Sequence, residues 1–286
     1  MQQLIRTLLG LLSLLPLPAL YTLSTSVYFV SYYIVRWRRS LVMENLNRSF
    51  PEMSISDRRR ICREHFKGLF DTAFETLKAP KLGPEDLREK VEFANLEILQ
   101  NLQDKPFILA AAHQGNWEWQ VLALGDELNV PLDAIYSPSG IPSVDDFLRS
   151  TRTRFGTTLI APQDALAQIA KRHKTPRGIV ILADQNPRRD VERYWTEFLN
   201  QDTAFQVGLQ KIARLTRYPI VFLNGQRLSR GHYRVRFELI CEPPYAKEGS
   251  ELLKQYTVAL AASIEANPGE WLWSYDRWRY PKPMYG

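Results

Sequence analysis

The hydrophobic pattern opens on its longest feature. From Thr7 to Val35 the chain carries no Asp, Glu, Lys or Arg. A helix crossing a bilayer core needs about 20 apolar residues, so this stretch is long enough. Pro16 and Pro18 kink or break such a helix, and Ser and Thr dilute its second half. The pattern therefore predicts either a spanning helix or a broken hairpin lying in the membrane interface. Tyr28, Tyr32, Tyr33 and Trp37 suit an aromatic belt. Arg36, Arg38 and Arg39 follow at once, against Arg6 and the amino terminus on the other side. The positive-inside rule then places the rest of the chain in the cytoplasm. A cleaved signal peptide has a shorter apolar region, and this one ends in arginines. A buried pair of core helices is the remaining alternative.

Further along, residues 41–79 read as helical, with His65, Phe66, Leu69, Phe70, Ala73, Phe74 and Leu77 on one face. Pro80, Gly83 and Pro84 end the run. VEFANLEIL (91–99) predicts a strand running into a helix. Short apolar runs then alternate with amphipathic ones. PFILAAAH (106–113), LDAIYSP (132–138), TLIAP (158–162) and GIVILADQ (178–185) read as strands. WEWQVLALGDEL (117–128), the basic segment 142–155, DALAQIAKRH and residues 204–217 read as the helices between and after them. YPIVFLNGQRL and HYRVRFELI add two strands, and LLKQYTVALAASIEANP a long amphipathic helix. This alternation predicts an α/β fold, a mostly parallel mixed sheet flanked by helices. The simplest division is a membrane anchor or interfacial helix over 1–40 and one catalytic domain over 41–286.

Composition narrows the class. A chain of 286 residues, 45% hydrophobic and 24% charged, is globular rather than disordered. Cys62 and Cys241 alone make neither a disulfide scaffold nor a zinc site. The net charge of +6 and pI of about 9.3 favour an anionic partner: nucleic acid, a membrane surface or a phosphorylated substrate. No nucleic-acid motif accompanies the charge, so nucleic acid is not expected. A mean hydropathy of −0.29 excludes a multi-spanning protein and allows one membrane segment.

Sites in α/β sheets lie at the carboxyl ends of strands. His113 follows such a strand directly. Gly115 permits a tight turn, and Asn116 is a good N-cap for a helix starting near Trp117. A turn between them can fold the Glu118 carboxylate back toward the imidazole. A carboxylate on one ring nitrogen fixes the tautomer and leaves the other as a base. No G-x-S-x-G elbow is present and neither cysteine neighbours the histidine in sequence, so no covalent nucleophile is expected. His65, His173 and His232 are expected to be solvated or capping. Trp271, Trp273 and Trp278 are expected to pack, and Arg58, Arg59 and Arg60 to be solvated or membrane-facing.

HQGNWE (113–118) matches the H-x4-D/E motif of glycerolipid acyltransferases. Its fuller GNWE form resembles that of the late acyltransferases of lipid A biosynthesis and the related phosphatidylinositol mannoside acyltransferases. ENLNRSFPEMS (44–54), ILADQNP (181–187) and NPGEWLWSYDRW (267–278) are similar to three further elements of that family, in the same order. One departure stands in EFLNQDTAF, where Asn200 occupies a position at which the family would carry glycine.

The resemblance implies transfer of a fatty acyl chain from a thioester, on acyl-carrier protein or acyl-CoA, to a lipid hydroxyl. The acceptor implied is an anionic glycolipid, a lipid A precursor, with an aminolipid or mannosylated phospholipid as alternatives. A lipid-binding module without catalysis, or a thioesterase, would use the same scaffold. His113 would be general base with Glu118 orienting it. Arg149, Arg152 and Arg154 would grip phosphate of the glycolipid or of a phosphopantetheine arm. Asp184 and Gln185 would position the sugar or the arginines, with Arg188 and Arg189 serving the same anionic groups. The implied location is the bacterial inner membrane, with the catalytic domain facing the cytoplasm. No metal or cofactor is implied.

Overall fold

The computed structural model describes residues 1–128, 130–173, 175–188 and 191–280. The apolar N-terminal stretch is broken. Helix α1 (Gln2–Leu14) stops before Pro16, and α2 (Leu17–Phe29) continues into a π-helical turn (Val30–Val35). Leu15 and Pro16 are both extended; for Leu15 the cause is the proline that follows it, which disfavours helical backbone in the residue before it. Pro18 lies in the first turn of α2, where a missing N–H costs nothing. Among the described residues no helix is long and apolar enough to cross a membrane.

One face of α2 is buried, through Leu20, Ser24 and Tyr28. The other leaves Leu23, Val27 and Phe29 exposed, and Leu4, Leu8, Leu11 and Leu14 of α1 are exposed as well.

The helical reading of 41–79 resolves into two helices, α3 (Arg39–Ser49) and α4 (Ile55–Lys78). Pro51 lies in the turn between them. Ser54 caps α4, its hydroxyl accepting from the Asp57 N–H at 3.1 Å. Ser24 Oγ and Tyr21 Oη of α2 donate to Asp71 (2.6 Å) and Glu75 (2.9 Å) of α4. His65 of α4 is 2% exposed, against the expectation of a solvated or capping role, because the Trp271 segment lies against it.

Then follow α5 (Pro84–Lys90), β1 (Val91–Phe93), α6 (Glu97–Gln100), β2 (Phe107–Ala111), α7 (Trp117–Glu127), β3 (Leu132–Ile135), α8 (Pro142–Arg152), β4 (Thr158–Ile160), α9 (Ala165–Lys171) and β5 (Gly178–Leu182). The chain continues through β6 (Arg193–Phe198), β7 (Gln201–Gln206), α10 (Gly208–Thr216), β8 (Ile220–Ser229), β9 (His232–Cys241) and α11 (Glu251–Ala266).

Seven strands form one sheet in the order β1-β9-β8-β2-β5-β3-β4. From β8 to β4 all pairs are parallel; β9 is antiparallel to β8, and β1 parallel to β9. The sheet is thus the mostly parallel, mixed one that the alternation predicts. Its central strands are apolar on both faces. Ile108, Ala110 and Ile179 face the core that holds Tyr256 and Leu260 of α11. Phe107, Leu109 and Val180 face the core with Leu122 and Leu124 of α7.

The helix expected over 204–217 begins only at Gly208. Its first residues belong to the β6–β7 hairpin. Leu199 and Asn200 make its turn with φ of 49° and 60°. Asn tolerates this left-handed conformation better than most residues, so it serves where glycine would. Asn200 Nδ2 also donates to the Ser49 carbonyl at 3.0 Å, tying the hairpin to α3.

Gly178 opens β5 opposite both Phe107 and Leu132. A Cβ there would lie 2.7 Å from Leu132 Cδ2 and 2.9 Å from Phe107 Cε2, both buried side chains. Gly178→Ala is expected to destabilise the fold by about 1–3 kcal/mol through overpacking, measured by urea unfolding. An unchanged midpoint would mean that the two side chains repack freely.

Candidate active site

Parallel β2 and β5 pair in register, Ala111 opposite Leu182. His113 and Asp184 each lie two residues beyond that last pair, so the register sets them face to face. His113 Nδ1 is 2.7 Å from Asp184 Oδ1. Asp184 Oδ2 accepts from the His113 backbone N–H (3.0 Å) and from Trp271 Nε1 (2.9 Å). The Asp184 side chain is 2% exposed. Burial alone would raise its carboxyl; the His113 charge and these hydrogen bonds outweigh burial and hold it below the ordinary carboxylate range. The carboxylate assigns the proton to Nδ1 and leaves Nε2 with its lone pair. Nε2 faces the Gln185 amide at 3.3 Å.

Glu118 does not orient the imidazole, as the H-x4-E spacing suggested. It takes a two-pronged hydrogen bond from Arg152, Nε to Oε2 at 2.8 Å and Nη2 to Oε1 at 2.5 Å, and a third from Trp117 Nε1 at 3.1 Å. The Arg152 guanidinium stacks over Tyr136, 4.6 Å from the ring centroid. Burial would lower the Arg152 pKa, but the Glu118 bonds outweigh it and raise it. His113, Glu118, Arg152 and Gln185 line one cavity of about 340 Å³ together with aliphatic side chains of α7, β3, β4 and β5. A concave space that joins aliphatic walls to several convergent polar groups has the make-up of a ligand site.

The loop that carries His113 is held from both sides. Gly115 sits at φ 58°, a conformation that suits glycine. Its N–H donates to the Glu270 carbonyl at 3.2 Å, and Gln114 bridges to Trp271. Asn116 caps α7, Oδ1 accepting from the Trp119 N–H at 3.0 Å, while its Nδ2 donates to buried Glu75 at 2.8 Å.

Of the other residues expected here, Arg149 is exposed and lines neither this cavity nor its larger neighbour. Arg154 donates to the Ala79 carbonyl at 2.6 Å and also lines neither. Arg188 is exposed, and Arg189 lies outside the described residues. Trp271 is the residue that sequence reasoning missed: it is buried, as expected for packing, but its indole N–H bonds Asp184. No local signal marked that contact, since it joins segments 87 residues apart.

A family model for bacterial lipid A biosynthesis acyltransferases matches residues 3–280. The chain belongs to this family. This lipid A acyltransferase family member is 22% identical over 273 residues to the lipid A biosynthesis lauroyltransferase of Escherichia coli K12, covering 93% of this chain and 87% of that protein. It is 23% identical over 189 residues to a lipid A biosynthesis acyltransferase of Haemophilus influenzae, covering 64% of this chain and 58% of that protein. The crystal structure of the 1-acyl-sn-glycerophosphate acyltransferase PlsC from Thermotoga maritima superposes at a TM-score of 0.42 and 16% identity, covering 95% of this chain and 99% of that one.

The Glu118–Arg152 pair generates a stability prediction. Arg152→Met leaves the largely buried Glu118 carboxylate without its charged partner and is expected to cost about 2–3 kcal/mol. Glu118→Gln in the same background removes the unpaired charge and is expected to restore part of that loss. Denaturant unfolding of the two single variants and the double variant would measure the coupling. Additive losses would show that the pair contributes nothing.

Proposed function

We propose that this protein transfers a fatty acyl chain from a thioester on acyl-carrier protein to a hydroxyl of a lipid A precursor. The observation that carries the reading is the buried Asp184 carboxylate on His113 Nδ1, which leaves Nε2 as a base in a cavity lined by both polar and aliphatic side chains. The acceptor hydroxyl is too weakly acidic to attack unaided. It takes the place of the Gln185 amide at Nε2 and gives up its proton as its oxygen bonds the thioester carbon. Asp184 stabilises the imidazolium that forms. The carbon–sulfur bond then breaks, and His113 returns the proton to the leaving thiolate. Arg152 and the displaced Gln185 amide serve as donors to the tetrahedral oxyanion. The acyl chain lies among the aliphatic side chains of the same cavity. Glu118 is a positioning residue, holding Arg152 in place.

The exposed leucines of α1 and the exposed apolar residues of α2 support binding in the plane of a membrane. Arg36, Arg38 and Arg39 follow that surface, so the reading places it on the cytoplasmic leaflet of the inner membrane.

The decisive experiment compares lipids, by mass spectrometry, from a strain lacking the gene and complemented with wild type, His113→Ala or Asp184→Asn. Lipid A is expected to lose one acyl chain in the null strain and regain it only with wild type. In vitro, Asp184→Asn is expected to lower kcat by about 10³- to 10⁴-fold, as loss of the orienting carboxylate does in Ser-His-Asp triads. Full restoration by His113→Ala would sink the catalytic reading. Loss from another lipid class would keep the chemistry and replace the acceptor.

A further inference from the structure

A second, larger cavity of about 790 Å³ lies across Trp117 from the first, within the size range of small-molecule sites. Trp117 lines both cavities, and its ring packs edge-on to that of His113, with centroids 5.0 Å apart. One wall is a face of α4, with Arg60, Lys67 and Asp71 at helical spacing; α2, the turn from Gly115 to Trp117, the β8–β9 hairpin and the segment 266–272 form the rest.

The lining carries more positive than negative charge. Arg227 and Arg230 share the single Asp71 carboxylate, Arg227 at 2.6 Å. Arg60 pairs with Glu64. Lys67 is exposed and stands 5.7 Å from the Tyr28 ring centroid, and among the described residues no carboxylate pairs with it. Glu270, the remaining carboxyl here, is pushed up to about 7 by burial and carries only part of a charge near neutrality.

His65 lines the same cavity. It is 2% exposed, burial holds its pKa down to about 4, and Nε2 has no hydrogen-bond partner. A buried polar atom without a partner costs free energy, and a ligand hydroxyl facing it removes that cost.

We infer that this cavity holds a sugar phosphate, the headgroup of the acceptor, with Lys67 and its neighbouring arginines on the phosphate and His65 on a sugar hydroxyl. A hydroxyl elsewhere on the same molecule passes the edge of Trp117 to reach His113. The identity of the reacting hydroxyl rests on the acyl-transfer reading; the cavity and its charge do not.

The test is titration calorimetry on the full chain in neutral detergent, with glucosamine 6-phosphate, glucosamine and inorganic phosphate as probes. Glucosamine 6-phosphate is expected to bind more tightly than either of the others. Lys67→Met is expected to weaken both phosphate-bearing probes about tenfold, the loss of one charge-assisted hydrogen bond. His65→Phe keeps the ring volume and is expected to weaken the sugar phosphate alone. Equal binding of glucosamine and its phosphate would overturn the inference, as would sugar-phosphate binding indifferent to either variant. Inorganic phosphate binding as tightly as the sugar phosphate would overturn the sugar part. Titrations that behave as expected in a protein showing no acyl transfer would sink the catalytic reading and leave this cavity assigned.

Discussion

A carboxylate shut away from water must be solvated by the protein, and Asp184 organises its surroundings for that reason. An ionised group buried without partners carries a large desolvation cost. Asp184 meets it with the His113 ring, the His113 backbone N–H and the Trp271 indole. The donors come from two separate parts of the chain, so with the acid's own strand three distant segments must arrive together. Strand β5 brings the acid, β2 the histidine, and the segment after α11 the tryptophan. The parallel register of β2 and β5 does most of this positioning. A one-residue slip would turn His113 or Asp184 to the opposite face of the sheet.

Glu75 performs a parallel task one layer away. Its side chain is fully buried and accepts from Asn116 Nδ2, Tyr233 Oη at 2.6 Å and Tyr21 Oη. These partners come from the His113 loop, β9 and α2. The same carboxylate therefore ties the amphipathic N-terminal helix to the loop that carries the histidine. The larger cavity opens among these elements, with Tyr233 and Gly115 in its lining.

How far these features were legible in the sequence depends on the distance over which each is decided. Short apolar runs of the β2 and β5 kind announced buried strands, and His113 at the end of one marked a candidate site. Gly115 and Asn116 marked the turn and the cap correctly because those preferences are local. The contact of His113 with Asp184 joins residues 71 apart and depends on β5 lying beside β2, which no local pattern states. The β6–β7 hairpin was hidden for a different reason. Ala204, Phe205, Val207 and Leu209 form a nearly continuous apolar series across the junction of β7 and α10, and helix and strand periods cannot be separated over so few residues. His65 stands next to Phe66 on a helical face, yet its burial comes from a segment about 200 residues later in the chain.

The H-x4-E spacing illustrates the limit of reading a motif as a contact. A histidine in a strand-end loop and a glutamate in the first turn of the next helix can both face one cavity without touching. Here the acid's two oxygens are taken by the Arg152 fork, whose geometry matches a carboxylate. The arginine in turn lies over the Tyr136 ring, so its guanidinium is held on two sides. The spacing therefore places a cation in the same cavity as the imidazole through an intermediary acid, while the acid bonded to the imidazole is supplied by another strand. A substitution at Glu118 and one at Asp184 should then fail differently: the first frees an arginine and alters how charge is met in the cavity, and the second alters the tautomer of the histidine itself. Aspartate in place of Glu118 would pull the carboxylate back by one methylene and require Arg152 to follow, against its stacking on Tyr136.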